Sequence, residues 1–355
     1  MLTRRNFLQS AGALTAFAAR GAALPRQRVF EITTSIEILK PSGVTRAWLP
    51  HPLISKQPFQ QSISDKPGVG AGRLLTDTEP LNSLHMVYAE FPADAKPAVS
   101  YTSRVATTEY SVDLSAPGGP RATSSDLKYF LRPTKLIPTD GIVKETANKI
   151  TKGATTDLAK ARAIYEWVVD NTFRNPKTRG CGIGDIRFML ESGDLGGKCA
   201  DLNALYVGLA RAAGLPARDV YGIRAGKSEF GYKSLGAATE NITKAQHCRA
   251  EVWLSTHGWV PVDPADVRKV VLEEPPGNRP LSDEMVKAAR ARLFGSWEMN
   301  WIGYNFAHDV KLPNSTGSPL GYFMYPQAET AEGRLDSLDP DTFRYEITSR
   351  EITPV

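Results

Sequence analysis

The sequence predicts an α+β protein in which an N-terminal antiparallel β-sandwich precedes a core of helices packed on an antiparallel sheet. Up to about residue 125, side chains alternate with a period of two, and no helical period occurs. Helical periods with capping residues follow, and strand-like runs come after the helices. The 355 residues, 41% hydrophobic and 23% charged, are enough for two or three domains of ordinary globular composition.

The sandwich is predicted for residues 28–113 from a series of alternating runs separated by turns. In the first run, apolar residues from Phe30 to Ile38 alternate with charged and hydroxyl residues, which is typical of a half-buried strand. Further strands are predicted at Thr45–Leu49, Leu84–Phe91 and Val99–Val112. The glycines, prolines and serines of residues 114–125 predict a linker.

The α+β core is predicted for residues 126–270, because helices come first and strands follow with short connections. The candidate helix N-caps are Asp140, Thr155 or Thr156, and a position near Lys198. The segment Gly214-Leu215-Pro216 ends the third helix. Strands are predicted at Ala217–Arg224, Gln246–Leu254 and Gly258–Val262. Residues 271–355 are predicted to pack on this core as a C-terminal extension, with a helix at Ser282–Leu293 and a strand at Thr342–Ile347.

Residues 1–23 are predicted to be an export signal. Arg4 and Arg5 precede Asn6-Phe7-Leu8 and a short apolar run, and small residues follow as candidate cleavage points. This pattern resembles a twin-arginine signal, which implies a periplasmic or secreted protein. The alternative is a basic amphipathic helix that belongs to the fold.

Composition excludes several classes of protein. The formal charge of +5 comes partly from three arginines in residues 1–23, and no concentrated basic patch follows, so nucleic-acid binding is not predicted. No later apolar run is long enough for a transmembrane segment. Three cysteines exclude a disulfide scaffold.

One segment places a cysteine at the start of a predicted helix. In Gly196-Gly197-Lys198-Cys199, the glycines permit a tight backbone approach and Cys199 falls in the first helical turn. The free N–H groups and dipole of a helix start stabilise a thiolate, and Lys198 adds positive charge. This arrangement predicts a reactive thiol, and the alternative is a structural cysteine.

A predicted hairpin can bring a base and a carboxylate together. His247 lies on the strand that starts at Gln246, and Asp263 ends the next strand after a short turn. A cysteine nucleophile, a histidine base and an aspartate that orients the histidine form a thiol triad. Taken singly, His247 is also explained as a hydrogen-bonded strand histidine, and Asp263 as a turn starter before Pro264.

Three segments resemble the transglutaminase-like superfamily over about residues 125–270. They are GGKCADLNALYVGLARAAGLPAR around Cys199, HCRAEVWL around His247 and GWVPVDPAD around Asp263. The resemblance implies a papain-related core with a Cys-His-Asp triad, in which the cysteine helix packs against the sheet that carries the other two residues. It also implies a peptidase or amide hydrolase more than a cross-linking enzyme. Some members lose the triad and become structural, but all three positions are present here.

Other site residues are predicted with less support from the pattern. The Cys199 backbone N–H is one expected oxyanion donor. The second donor stays open, because Gly193 stands where papain-like sites have a glutamine; residues 178–184 or a tryptophan indole are the candidates. The residues predicted to line the substrate cleft are Lys198, Cys181, Trp297, Asn300 and Trp301. The alternatives are a buried loop cysteine for Cys181 and a packing patch for the aromatic and amide residues.

The sequence therefore predicts an exported, monomeric, cysteine-dependent acyl-transfer enzyme that forms a thioester. Its substrate is expected to be a peptide, protein or peptidoglycan-type amide, and its second step either hydrolysis or transamidation. No metal or cofactor is predicted, because metal-binding cysteine and histidine spacings and an EF-hand loop are missing from the sequence. The alternative is a non-catalytic cell-envelope binding or scaffold protein with a relic cleft.

Overall fold

The computed structural model describes residues 26–119 and 123–352. The predicted export signal at residues 1–23 lies outside these residues. Within the two described ranges, no helix combines the length and the apolar character needed to cross a membrane.

The N-terminal part is made of strands, as predicted. They are β1 (Gln27–Ile38), β2 (Thr45–Pro50), β3 (Gln60–Pro67), β4 (Arg73–Thr76), β5 (His85–Phe91), β6 (Ala98–Thr108) and β7 (Tyr110–Ser111). Neither β3 nor β4 was predicted, because most of their side chains are exposed and carry no apolar alternation. The single strand expected at Val99–Val112 is divided into β6 and β7.

The middle part contains the helices and the strands that follow them. These elements are α1 (Ser124–Tyr129), α2 (Gly141–Ile150), α3 (Asp157–Asn171), β8 (Phe173–Arg174), α4 (Ile186–Ser192), β9 (Gly196–Gly197), α5 (Cys199–Ala212), β10 (Ala217–Arg224), β11 (Arg249–Leu254), β12 (Gly258–Val262), α6 (Pro264–Glu273) and α7 (Glu284–Arg292). Asp140, Thr156 and Lys198 are the N-cap residues of α2, α3 and α5. The sequence analysis did not predict α6, which begins directly after Asp263.

The C-terminal part returns to short strands and one long strand. They are β13 (Ser296–Trp297), β14 (Trp301–Asn305), β15 (His308–Val310), β16 (Leu320–Tyr322), β17 (Gln327–Thr330), β18 (Gly333–Arg334) and β19 (Phe343–Ile352). The last strand is longer than the expected Thr342–Ile347.

Strands from both ends of the chain build the sandwich. One sheet has the order β19-β1-β6-β3 and the other β18-β17-β2-β5-β4. Strand β19 pairs antiparallel with β1, from Val29 opposite Ile352 to Ile38 opposite Phe343. The C-terminal segment therefore contributes strands to both sheets of the sandwich. The predicted boundaries, with a sandwich at 28–113 and a separate extension at 271–355, do not include this contribution. A pairing partner at the other end of the chain leaves no local pattern in the sequence.

The core sheet has the order β12-β11-β10-β14, and α5 packs against it. Every residue of α5 is buried, because α2, α3 and α6 surround the face that the sheet leaves free. This antiparallel sheet covered by helices is the predicted α+β core. The N-terminus of α5 and the end of β12 point into the same region of the molecule, where the candidate site lies.

Strand β19 also joins the sandwich to the core sheet. The side chain of Ile347 is 1% exposed and belongs to an apolar cluster with Phe30 of β1, Ile223 of β10 and Ile302 of β14. The cluster therefore ties both ends of the chain to the sheet that carries the candidate site.

We expect Ile347→Ala to lower the free energy of unfolding by about 2–5 kcal/mol, because it leaves a cavity in that cluster. The measurement is chemical denaturation of the purified protein. Arg344→Ala, an exposed position on the same strand, is the control and should change stability by less than about 0.5 kcal/mol. A similarly small effect of Ile347→Ala would show that β19 is peripheral to the fold.

Candidate active site

Cys199 is held at the first position of α5 by the carboxylate of Asp201. One oxygen of that carboxylate accepts from the Lys198 N–H at 2.9 Å, and the other accepts from the N–H groups of Ile183 and Gly184, also at 2.9 Å. A side chain on Gly182, whose φ is +97°, would lie 1.8 Å from the Asp201 carboxylate. Glycine is therefore required for the loop to approach the helix start this closely.

The surroundings of Cys199 favour its thiolate. The neighbouring Cys181 and Cys248 thiols and the His247 ring lower the pKa of Cys199 well below its ordinary value, although burial opposes this shift. The neighbouring Cys199 is the main cause that raises the pKa of Cys181, and burial is the main cause that raises the pKa of Cys248. All three cysteines are free and buried. Cys199 is therefore the thiol that ionises first.

The backbone N–H groups of the first turn of α5 differ in their partners. The N–H of Ala200 donates to the Cys181 carbonyl at 2.9 Å, and that of Asp201 donates to the Lys198 carbonyl at 3.1 Å. The N–H of Cys199, at the first helical position, has no acceptor within the helix. It is therefore the donor of this turn that remains for a ligand.

His247 is fixed by its backbone on both sides. Its N–H donates to the Gly222 carbonyl at 2.9 Å, and its carbonyl accepts from the Trp301 indole at 2.8 Å. Its ring atom Nε2 lies 2.7 Å from Asp263 Oδ2. With Nε2 engaged in this way, Nδ1 is the ring nitrogen that remains for the interaction with Cys199. The strand expected from Gln246 begins instead at Arg249, because Gln246 makes only an isolated bridge to Ile223.

The two carboxylate oxygens of Asp263 have different hydrogen-bond partners. While Oδ2 bonds to His247, Oδ1 accepts from the Asp266 N–H at 3.1 Å and caps α6. The same Oδ1 accepts from Asn203 Nδ2 at 3.2 Å, which connects α5 to the carboxylate. Asp263 is therefore both the partner of His247 and the N-cap of a helix, where the sequence had offered a turn starter as the alternative.

A second carboxylate, Asp266, lies beside the histidine. Its Oδ2 is 3.4 Å from His247 Nε2, and its Oδ1 pairs with Arg224 at 2.5 Å. Although burial opposes the shift, Arg224 and His247 hold the pKa of Asp266 well below its ordinary value. Burial and the Asp266 charge raise the pKa of Asp263. Asp266 is thus the more readily ionised of the two carboxylates.

These charges decide the state of His247. Burial and Arg224 oppose a positive ring, but the carboxylates of Asp266 and Asp263 outweigh them and raise the pKa of His247 to about 10. At neutral pH, the site thus favours an imidazolium next to a thiolate.

A cavity of about 570 Å³ opens on this pair and is lined by Cys199 and His247. Cys181 and Lys198, both predicted to lie in the cleft, also line it. The C-terminal segment supplies another part of the lining, which includes Tyr325 and residues from 337 to 345.

Trp297, Asn300 and Trp301 do not line this cavity, contrary to the expectation from the sequence. Each is at most 1% exposed. The Trp301 indole donates to the His247 carbonyl and the Trp297 indole to the Val262 carbonyl at 3.2 Å, so neither indole is available as an oxyanion donor. Both rings also lie against the guanidinium of Arg249, which approaches Asp263 to 3.8 Å. These residues support the histidine and the carboxylate from behind.

Three side chains could in principle offer ligands to a metal ion. One ligand atom each from His247, Asp263 and Asp266 lies within 4.8 Å of the others. The hydrogen bond between His247 and Asp263 and the ion pair of Asp266 with Arg224 already use these atoms. A metal would have to displace both interactions.

Sequence analysis missed Asn203, Arg224 and Gln246. Asn203 lies four residues after Cys199, on the same face of α5, and this spacing is a signal that could have been used. Nothing local marks Arg224, because its partner Asp266 is distant in the sequence. The side chain of Gln246 is 8% exposed and lines the cavity, and its Nε2 makes no hydrogen bond with the described residues.

Comparison with known proteins matches part of this chain to a family and to a relative. Residues 144–264 match the model of the transglutaminase-like superfamily. An uncharacterized protein of Haemophilus influenzae is 43% identical over 238 residues, which are 64% of this chain and 64% of that protein. The chain thus matches somewhat less than two thirds of the length of this relative.

A solved structure with low sequence identity shares the fold. A protein from Cytophaga hutchinsonii, provisionally described as a cysteine protease, is 16% identical and superposes with a TM-score of 0.52 over 92% of this chain and 98% of its own. The periplasmic domain of TgpA from Pseudomonas aeruginosa, also 16% identical, gives a TM-score of 0.35 over 68% of this chain and 88% of that domain.

The family match runs from within α2 to the first residue of α6 and includes Cys199, His247 and Asp263. This segment is therefore similar to the transglutaminase-like superfamily.

Proposed function

We propose that this protein is a thiol enzyme that transfers the acyl group of an amide, with Cys199 as nucleophile, His247 as acid and base, and Asp263 as the residue that orients His247. The observation that carries the proposal is that Cys199 and His247 line one cavity while Asp263 holds the far side of the imidazole at 2.7 Å. This is the arrangement that a thiol triad requires.

The reaction proceeds in two balanced steps. The Cys199 thiolate adds to the amide carbonyl, and the His247 imidazolium gives its proton to the leaving amine, which leaves a thioester and a neutral imidazole. In the second step, the imidazole takes a proton from water or from an acceptor amine, whose attack releases the acyl group and restores the thiolate. Hydrolysis and transamidation differ only in which nucleophile attacks.

The oxyanion that forms in both steps needs hydrogen-bond donors. The N–H of Cys199 is one, because it has no acceptor within the helix. We assign the second to Gln246 Nε2, because that buried amide lines the cavity and lacks a hydrogen-bond partner among the described residues. Gln246 immediately precedes His247, so the fixed histidine backbone also fixes this amide.

We further propose that the protein acts outside the cytoplasm. The support is the Arg4-Arg5 motif with its apolar run and small residues. The protein would then meet peptide and peptidoglycan-type amides of the cell envelope. Incubating the purified enzyme with peptidoglycan fragments and a peptide library, with and without amine acceptors, separates hydrolysis from transamidation by product mass.

The first prediction concerns the reactivity of the thiols. At pH 6, iodoacetamide should alkylate Cys199 much faster than Cys181 or Cys248, because the pKa of Cys199 is lowered and those of the other two are raised. Peptide mass spectrometry of a time course gives the three rates. Equal and slow labelling of all three would favour a non-catalytic scaffold.

The second prediction separates the two carboxylates. Asp263→Asn should lower kcat for hydrolysis of a 4-nitrophenyl ester by up to about 10⁴-fold, since an amide cannot stabilise the imidazolium and can hold the wrong tautomer. The melting temperature should change little, because asparagine still caps α6. Asp266→Asn is the matched variant and should instead destabilise the fold, because it leaves the buried Arg224 charge unpaired. Near wild-type kcat in Asp263→Asn would remove Asp263 from the triad.

The third prediction tests the oxyanion donor. Gln246→Met keeps the length of the side chain but removes the N–H group, and we expect a loss of about 10²–10³-fold in kcat for the ester. Alkylation of Cys199 by iodoacetamide should keep its rate, because alkylation forms no oxyanion. An unchanged kcat would show that another donor serves. A loss of alkylation as well would assign Gln246 to the positioning of His247.

A further inference from the structure

Basic side chains dominate the cavity wall. Six cationic side chains line it, and no carboxylate does so among the described residues. The six are Arg174, Arg179, Lys198, Arg224, Lys244 and Lys269. A concave surface of one charge focuses the electrostatic field and concentrates ligands of the opposite charge.

Carboxylates outside the cavity wall compensate part of this charge. Arg224 pairs with Asp266, and Arg179 with Asp336 at 2.7 Å. Arg174 and Lys269 both pair with Glu273, so two cations share one carboxylate.

Two lysines of the wall are not compensated in this way. Neither Lys198 nor Lys244 forms an ion pair within the part of the chain that the structure describes. The cavity therefore keeps a positive excess that the protein itself does not neutralise.

The two unpaired lysines flank the reacting groups. Lys198 directly precedes Cys199, and Lys244 lies three residues before His247. Each thus sits on one of the two segments that bring the nucleophile and the base together. A negative group held by these lysines would therefore bind at the two segments that carry the nucleophile and the base.

Another part of the wall differs in character. Leu338, Pro340 and Phe343 of the C-terminal segment line it with apolar surface. A surface of this kind suits the uncharged part of an extended chain. The cavity therefore combines cations near Cys199 with an apolar wall.

On the basis of the thiol chemistry proposed above, we infer that the acyl donor is an acidic peptide with a carboxylate beside the amide that Cys199 attacks. The carboxylate binds to Lys198 and Lys244, and the peptide chain lies against the apolar wall. A carboxylate of this kind comes from an acidic side chain or from a free C-terminus, and the experiment separates these sources.

The first arm of the experiment uses two alkylating agents of similar size and opposite charge state. Iodoacetate is anionic and iodoacetamide is neutral, and both alkylate Cys199 by displacing iodide. The ratio of their rate constants reports the charge of the cavity, because any change in thiolate content affects both agents equally. Wild type is compared with Lys198→Gln, Lys244→Gln and the double variant. The control is Lys149→Gln, an exposed lysine of α2 that does not line the cavity.

The rate constant for iodoacetate divided by that for iodoacetamide should fall about three- to tenfold in the double variant. This is the effect expected from removing two charges at close range in a partly screened site. The ratio should also fall as salt is added to wild type. Lys149→Gln should keep the wild-type ratio. A double variant with an unchanged ratio would overturn the inference. Failure of the thiol proposal would look different, since Cys199 would then react slowly with both agents.

The second arm uses protection of Cys199 from iodoacetamide by short peptides. Three are compared: a neutral peptide with an amidated C-terminus, the same peptide with one glutamate, and the neutral peptide with a free C-terminus. Protection by the glutamate peptide at concentrations where the neutral amide has no effect supports an acidic side chain, and protection by the free acid supports a terminal carboxylate. Equal protection by all three would contradict the inference.

Discussion

His247 carries the charge on which the proposed site depends, and its side chain is only 4% exposed. A buried imidazolium is costly unless negative groups surround it. Asp263 contacts the ring at 2.7 Å, Asp266 lies at 3.4 Å, and Cys199 supplies the third negative group when it ionises. Arg224 keeps Asp266 ionised and limits the total negative charge. The thiolate and the imidazolium therefore stabilise each other, and removing either changes the state of the other.

The fold supplies these groups from elements that pack tightly together. The buried helix α5 brings Cys199 and Asn203, the start of α6 brings Asp263 and Asp266, and the core sheet brings Arg224. Strand β19, paired along its length with β1, carries Phe343 and Tyr345 into the cavity wall. The first described strand of the chain therefore helps to shape the cleft, although none of its residues line it.

Local signals were enough to predict the parts of this arrangement that local chemistry determines. Glycines before Cys199 and the Asp-Pro pair at Asp263 each mark an element boundary, and α5 begins and ends where its caps predict. Partners distant in the sequence could not be found in this way. The pairing of β19 with β1, the Arg224–Asp266 ion pair and the burial of Trp297 and Trp301 behind His247 arise only when the chain is folded. An aromatic-rich segment has the same composition whether it lines a cleft or supports one, so its position was predicted wrongly.

The central claim is that His247 is an imidazolium at neutral pH because two carboxylates and a thiolate surround it. Nitrogen NMR of protein labelled with ¹⁵N in its histidines measures this state directly, with the His247 signals assigned from their loss in His247→Gln. We expect both ring nitrogens of His247 to be protonated at pH 7.5 and to lose a proton only near pH 10, as the raised pKa requires. In Cys199→Ser, which removes the thiolate, the proton should be lost at a lower pH. A neutral His247 ring at pH 7.5 that titrates near its ordinary pKa of about 6.5 would contradict the account.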